Sequence, residues 1–93
     1  MNKKIKIGLW GVGRAGLHGH LNEIDKFSDF FQVVAACDLI EERADKVAER
    51  YPSAVPYIDC TDFLADKNID LVSIATYSSD HVKHAQMALE AGK

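Results

Sequence analysis

The sequence lacks the features that mark membrane, secreted and nucleic-acid-binding chains. No apolar run approaches the roughly 20 residues that span a bilayer, and the short basic start runs straight into a strand pattern, unlike a secretory signal. The net charge is −3 and no basic stripe is present, which argues against nucleic-acid binding. We therefore expect a soluble, cytoplasmic protein with neither a membrane nor a nucleic-acid partner.

Cysteine is also scarce. Cys37 and Cys60 have no metal-type spacing, and Cys37 ends an apolar run, as a reduced core thiol would. Among the four histidines, His81 and His84 could share a helix face but have no third ligand, so no metal site is expected. The 93 residues form one domain at most, and the 47% apolar content is too high for a disordered chain.

The chain does contain a regular alternation of two apolar patterns. Continuous apolar runs, typical of buried parallel strands, alternate with segments whose apolar residues recur at helical spacing. The predicted strands are 4–10, 33–37, 55–58 and 71–75; the predicted helices are 14–27, 40–51, a short one to about residue 67 capped by Asp59 or Thr61, and a last one capped by Asp80 and ended by Gly92. This alternation indicates an α/β fold, a doubly wound parallel sheet of Rossmann type in the order 3-2-1-4, with the Pro56 strand outermost.

The sequence also predicts the environment of the aromatic residues before the second strand and of the free side of the fourth strand. The rings of Phe27, Phe30 and Phe31, just before the second strand, are expected to face the core. The fourth strand leaves an apolar edge bare, so we expect it to pair with its own copy or to aggregate. Because a full dinucleotide fold adds two more strands at that edge, the sequence looks like the amino-terminal part of a larger protein.

The most informative segment is the glycine loop, residues 11–16, between the first strand and the first helix. In its Gly-x-Gly-x-x-Gly pattern, Gly11 permits a tight turn, Gly13 lets phosphates approach the main chain, and Gly16 lets the helix lie close to the strand. The free N–H groups and the dipole of that helix favour an anion. The glycine loop therefore predicts a binding site for the pyrophosphate of a dinucleotide.

Asp38, at the end of the second strand, is the second element of this predicted site. A carboxylate there can accept hydrogen bonds from both hydroxyls of an adenosine ribose and repels a 2′-phosphate, so it favours NAD over NADP. It could also cap the helix that begins near Ile40, and the two roles do not exclude each other. No arginine follows Asp38 directly, and Arg43 is expected to be a solvated or ion-paired surface residue.

Polar residues after the fourth strand complete the set of candidates. Thr76, Tyr77 and Ser78 lie where ligands enter open α/β sheets, so they could line the nicotinamide end or form an ordinary polar loop. His81 is a further candidate for contact with the cofactor, and Arg14 could flank the pyrophosphate, face the nicotinamide or point to solvent. No nucleophile–base–orienter set is visible, and no Walker-type Gly-Lys-Ser/Thr follows the glycines, which disfavours a P-loop nucleotidase.

Four stretches of the chain resemble the N-terminal domain of the glucose–fructose oxidoreductase / inositol dehydrogenase (Gfo/Idh/MocA) family. They are Ile7 to Gly16; Val34 to Asp38 with Glu42-Arg43-Ala44; Val55 to Asp59 with Phe63-Leu64; and Asn68 to Thr76, leading to His81 and to Ala88 through Lys93. The resemblance covers nearly the whole chain. It departs from the family after Thr76, where proline is usual and this chain has Tyr77.

The resemblance implies a nicotinamide-dependent oxidoreductase that moves a hydride between the cofactor and a carbinol carbon of a sugar, cyclitol or related polyol. The family's catalytic groups, including the lysine of a Glu-Lys-Pro motif, would lie beyond Lys93, so the 93 residues alone are not expected to turn over substrate. By the match, the pyrophosphate would be held by Gly11, Val12, Gly13, Arg14 and Ala15, the ribose by Asp38, and the nicotinamide by Thr76, Tyr77 and His81.

Two rival functions remain open at this point. A stand-alone NAD(H)-binding module with a regulatory or redox-sensing role would use the same fold. An S-adenosylmethionine-dependent enzyme also uses a glycine loop and an acidic end to the second strand, although the downstream pattern fits a dehydrogenase better.

Overall fold

The computed structural model describes the backbone of residues 4–13, 15–76 and 78–93. A π-helical turn covers Ala15–His20, and a 3₁₀ turn covers Ser78–Asp80. The strands are β1 (Ile5–Trp10), β2 (Phe31–Cys37), β3 (Val55–Tyr57) and β4 (Leu71–Ile74), and the α-helices are α1 (Leu21–Asp25), α2 (Glu41–Arg50), α3 (Cys60–Ala65) and α4 (His81–Glu90). None of the helices in these residues has the length and apolar character of a membrane span.

The four strands form one parallel sheet in the order β3-β2-β1-β4. This order confirms the predicted doubly wound fold class and places the Pro56 strand, β3, at an edge. Pro56 lies opposite Ala36 of β2 and has no strand on its other side, where its missing N–H costs no ladder hydrogen bond.

The core lies in two layers because successive side chains of a strand point to opposite faces of the sheet. On one face Leu9 packs with Leu21 of α1 and Val47 of α2. On the other face Trp10 belongs to a cluster with Phe63 of α3 and residues of α4. Burial on both faces explains why the central strands read as continuous apolar runs.

The helix ends match the sequence at two of three places. Asp59 caps α3 by accepting a 2.8 Å hydrogen bond from the N–H of Thr61. Gly92 ends α4 with φ +84°, a backbone conformation that favours glycine. The predicted Asp80 cap is wrong: Asp80 makes no side-chain cap bond and has near-helical angles, because a 3₁₀ turn already precedes α4.

The first helix also differs from the regular helix predicted over 14–27. It opens with the π-helical turn, and its α-helical part spans only Leu21–Asp25. Two glycines, Gly16 and Gly19, lower the helix propensity of this turn. The α-helix whose dipole was expected to favour an anion is accordingly only five residues long.

The aromatic connection before β2 does not face the core, so this prediction is wrong. The side chains of Phe27 and Phe30 are 51% and 62% exposed, and Phe31 is half-buried. The connection crosses the amino end of the sheet, outside the two layers in which the helices cover its faces.

Candidate dinucleotide site

The carboxyl ends of β1, β2 and β4 bring the glycine loop, Asp38 and Thr76 to one edge of the sheet. The helices α1 and α2 cover one face of the sheet and α3 and α4 cover the other, so the chain changes faces between β1 and β4. The carboxyl ends of these two strands are therefore the switch point where open α/β sheets bind ligands. The Gly11 N–H donates a 2.8 Å hydrogen bond to the Cys37 carbonyl, and the Ala75 N–H donates one of 2.8 Å to the Trp10 carbonyl. These bonds hold the segments that follow β1, β2 and β4 side by side.

The three glycines of the loop face different surroundings. Gly11 has φ +94°, and a Cβ there would lie 2.8 Å from the backbone carbonyl of Ala75. A Cβ on Gly16 would lie 2.3 Å from the Gly11 oxygen. Among the described residues other than its chain neighbours, a Cβ on Gly13 would meet only Arg43 Nη1, at 3.8 Å, which is ordinary van der Waals contact. The fold itself therefore requires glycine at 11 and 16, whereas position 13 opens onto free space.

Asp38 ties the glycine loop to the start of α2. Its Oδ2 accepts a 2.8 Å hydrogen bond from the Val12 N–H, and its Oδ1 accepts one of 2.8 Å from the Ile40 N–H. The bond to Ile40 is a local bond two residues along the chain and not the helix cap considered from the sequence, because the N-cap residue of α2 is Ile40 and no side chain caps it. The bond to Val12 was not anticipated from the sequence. Because an ionised carboxylate has about four lone-pair sites, Asp38 retains capacity for further donors.

Thr76 is held by both histidines of α4. The Nε2 of His81 lies 2.5 Å from the Thr76 carbonyl, which can only accept, so His81 donates this bond. The Thr76 hydroxyl lies 2.7 Å from Nδ1 of His84, whose ring stacks on Trp10 at 4.1 Å between centroids. Burial lowers the pKa of His84 below its usual 6.5, although Asp80 acts in the opposite direction. Thr76 is thus fixed in position beside the glycine loop.

Some sequence candidates cannot be placed in this site. Arg14 and Tyr77 lie outside the described residues, and Ala15 is described only as the first residue of the π-helical turn. In the part of the chain that the structure describes, no group of three metal-ligating side chains occurs.

Two residues of the site were missed by sequence reasoning. Arg43 is exposed, as expected, but its guanidinium lies beside Gly13. Its place in the first turn of the helix after Asp38 is the signal that could have found it. His84 was considered only as a metal ligand, and its shared helix face with His81 was the available signal.

Known proteins share the sequence pattern and the fold of this chain. Residues 5–93 match the family model of the Gfo/Idh/MocA oxidoreductase family, NAD-binding Rossmann fold. The inositol 2-dehydrogenase of Salmonella typhimurium is 32% identical over 90 residues, which cover 96% of this chain and 26% of that protein.

Two solved structures of dehydrogenases superpose closely on this chain and cover 98% of it. The WlbA dehydrogenase from Bordetella pertussis, in complex with NADH and UDP-GlcNAcA, is 31% identical with a TM-score of 0.88, over 27% of its own length. The scyllo-inositol dehydrogenase from Lactobacillus casei, with bound NAD(H) and scyllo-inositol, is 30% identical with a TM-score of 0.86, over 26% of its length. The present chain thus spans about a quarter of the length of these relatives.

Proposed function

Because this chain belongs to the Gfo/Idh/MocA oxidoreductase family and matches its NAD-binding Rossmann domain over residues 5–93, we propose that it holds NAD, in preference to NADP, for an enzyme acting on a CH–OH group of a sugar, cyclitol or related polyol. When bound, the nicotinamide supplies the hydride chemistry, and the residues of this chain bind and orient it.

The open position at Gly13 is the observation that carries the proposal. Apart from its chain neighbours, the one atom of the described residues within 4 Å of a Cβ at this position is Arg43 Nη1, so the described part of the fold does not fill this space. The Gly13 N–H makes no hydrogen bond within the described residues, so it is available to a phosphate oxygen. A cradle of bare main chain at this place suits a pyrophosphate.

The substitution Gly13→Ala tests the proposal because the fold accepts the added methyl group. We expect an unfolding midpoint close to that of the unchanged chain and an NAD affinity at least about tenfold weaker, measured by isothermal titration. Gly19→Ala is the matched control, since a Cβ on Gly19 would meet nothing within 4 Å. Undiminished NAD binding by Gly13→Ala would contradict the proposal.

We propose that Asp38 binds the adenosine ribose and sets the preference for NAD. Its carboxylate stands beside the glycine loop with lone pairs to spare, and no salt bridge neutralises it within the described residues. Titration with NAD and NADP side by side should show NAD binding more tightly, and Asp38→Ala should narrow the difference. Equal affinities of the unchanged chain for both would refute this assignment.

The remaining candidate residues are assigned to the two ends of the cofactor. We propose that Arg14 and Ala15 flank the pyrophosphate and that Thr76, Tyr77 and His81 line the nicotinamide end. The close approach of Gly11 to the backbone after β4 supports this placement of Thr76. Val12 contributes through its bond to Asp38, because its own N–H is already engaged.

The catalytic groups are proposed to lie in a longer parent protein, of which this chain is the amino-terminal, cofactor-binding part. The relatives are about four times as long, and some act on inositols by name. We expect a Glu-Lys-Pro within about ten codons after Lys93. The whole protein should reduce NAD on a panel of inositols and sugar derivatives, whereas the 93 residues should not. Turnover by the 93 residues well above that of Gly13→Asp would oppose this division.

The free edge of β4 is proposed as a site of self-association. β4 ends the sheet, and Leu71 on it is 44% exposed. An unpaired apolar edge is a template for a further strand. Light scattering over a concentration series should show association that Leu71→Lys reduces, together with slow amide exchange in 71–74. A monomer at every concentration with fast exchange there would exclude it.

A cytoplasmic location is proposed from the thiols. Cys37 and Cys60 are both free, and burial raises the pKa of Cys37 to about 12, so it is an unreactive core thiol. Such cysteines suit a reducing compartment. Cell fractionation of the parent protein checks this location, and recovery outside the cytoplasm would reject it.

A further inference from the structure

His84 connects the two strand ends that flank the candidate site. Its Nδ1 lies 2.7 Å from the hydroxyl oxygen of Thr76, after β4. Its ring stacks on Trp10, the last residue of β1, with 4.1 Å between centroids and 25° between planes. Trp10 is buried, and its carbonyl accepts a hydrogen bond from the Ala75 N–H. The stack therefore fixes the His84 ring, and the ring in turn fixes the Thr76 hydroxyl.

The position of Thr76 depends on its hydrogen bonds because no proline follows it. A proline restricts the backbone of the residue before it, but in this chain Thr76 is followed by Tyr77. His81 donates to the Thr76 carbonyl and so holds the main chain. Within the described residues, His84 is the partner of the hydroxyl, so it controls the group of Thr76 that a ligand can contact through a side chain.

Protonation of His84 changes what the Thr76 hydroxyl can do. A neutral imidazole has one ring nitrogen that accepts, whereas in the imidazolium ion both ring nitrogens donate. Once His84 is protonated, its Nδ1 must donate, so the Thr76 hydroxyl accepts from it and a positive charge lies within hydrogen-bond distance of Thr76. Both changes act on any ligand group that contacts this hydroxyl.

The surroundings of His84 keep its ring mostly neutral at pH 7. Burial lowers the pKa of His84 below 6.5; Asp80 opposes this effect, and Lys83 and His81 add to it. These three residues belong to α4 and to the turn before it. The side chains that β1 and the segment after β4 present to the ring, an indole and a hydroxyl, do not titrate near neutral pH. His84 therefore gains its proton at a pH below 6.5.

We propose that His84 is a positioning residue whose protonation shifts the preference of the site from NAD towards NADH, an inference that rests on the proposed function. The oxidised nicotinamide ring carries a positive charge and the reduced ring is neutral, so an imidazolium beside Thr76 repels only the oxidised ring. Neutral His84 holds Thr76 without this repulsion. Because such coupling is reciprocal, bound NAD disfavours the proton on His84 more than bound NADH does.

The experiment measures the Kd of NADH by fluorescence titration and that of NAD by displacement, between about pH 5.5 and pH 8, for the unchanged chain, His84→Gln and His20→Gln. Glutamine still forms a hydrogen bond with a hydroxyl but does not titrate in this range. His20 is the matched control, because its Nδ1 also lies 2.7 Å from a hydroxyl oxygen, that of Ser73, but on the face of the sheet opposite α4.

The ratio of the Kd of NAD to that of NADH is the quantity that decides. As the pH falls, we expect it to rise about threefold to tenfold for the unchanged chain and for His20→Gln, and to stay within about twofold for His84→Gln. His81→Gln should retain the rise. A ratio that does not change with pH in the unchanged chain would overturn the inference, as would a rise that persists in His84→Gln or disappears in His81→Gln.

NMR titration of the His84 ring in the unchanged chain tests the same coupling without a substitution. Saturating NAD should lower the pKa of His84 more than saturating NADH does, and equal values would contradict the inference. This measurement decides if circular dichroism shows that His84→Gln does not fold. Failure of the proposed function is distinguishable, because the unchanged chain would then bind neither cofactor at any pH.

Discussion

Two aspartates, one at each end of the sheet, accept the same number of hydrogen bonds in different surroundings. Asp25, at the amino end, accepts from the Tyr51 hydroxyl and from the guanidinium of Arg50. Asp38, at the carboxyl end, accepts from two backbone N–H groups. Asp25 pairs with a cation and joins α1 to the end of α2, whereas Asp38 has no cationic partner within the described residues.

The difference shows at which end of the sheet the described polar groups are paired with one another and at which end some of them are not. At the amino end, carboxylate, phenol and guanidinium pair with one another. At the carboxyl end, the Gly13 N–H and the Arg43 guanidinium have no partner within the described residues, and no Cβ occupies the space between them. Donors left unused by the fold are what a phosphate ligand requires.

The largest effect is expected from a methyl group that breaks the carboxyl end itself. Gly16→Ala would place its Cβ 2.3 Å from the Gly11 backbone oxygen, so the backbone of the glycine loop would have to shift to accept the methyl group. We expect a loss of about 3 kcal/mol in the free energy of unfolding, measured with urea. Gly13→Ala is the matched control and should lose little. Equal stability of the two variants would remove the distinction between the glycines.

Removing each aspartate should separate stability from binding. Asp38→Ala leaves the Val12 and Ile40 N–H groups without acceptors, which we expect to cost about 1–2 kcal/mol and to weaken NAD binding. Asp25→Ala should cost about 1 kcal/mol, since its pair with Arg50 is partly exposed, and should leave NAD binding unchanged. The comparison fails if Asp25→Ala weakens NAD binding as much as Asp38→Ala does.

The smallest effect is a difference in acid sensitivity between the two ends. Burial lowers the pKa of His84, so the unfolded chain binds this proton more tightly than the folded chain does. The free energy of unfolding therefore decreases as the pH falls from 6.5 to the lower pKa of His84 in the folded chain. For Asp25, burial raises the pKa, but the hydrogen bonds from Tyr51 and Arg50 outweigh burial, and the pKa in the folded chain is below 3.8. The stabilisation that the Asp25 carboxylate provides is therefore present above pH 3.8 and is lost as the pH falls through its pKa in the folded chain.

Urea unfolding at a series of pH values measures both steps. His84→Gln should flatten the loss just below pH 6.5, and Asp25→Asn should flatten the loss below pH 3.8. A His84→Gln profile parallel to that of the unchanged chain would show that His84 is not the group responsible at the carboxyl end.

Most of the fold could be predicted from local patterns. The apolar runs of β1, β2 and β4, and the proline in β3, predict the strands and the outer place of β3, because burial on two faces and a missing N–H act on each strand separately. The Asp80 cap and the inward aromatic rings failed for a different reason. Whether Phe30 is covered, and whether Asp80 stands before or inside a turn, depends on how the chain crosses the ends of the sheet.

The glycine loop after β1 and the carboxylate at the end of β2 follow from local sequence alone, since both are residue types next to a recognisable strand. Packing in three dimensions sets which glycine opens onto free space, which backbone groups Asp38 engages, and the place of Arg43 beside Gly13. Those contacts join residues up to about sixty positions apart, such as Gly11 and Ala75. They depend on how α2 and β4 pack against β1, and no local pattern encodes that packing.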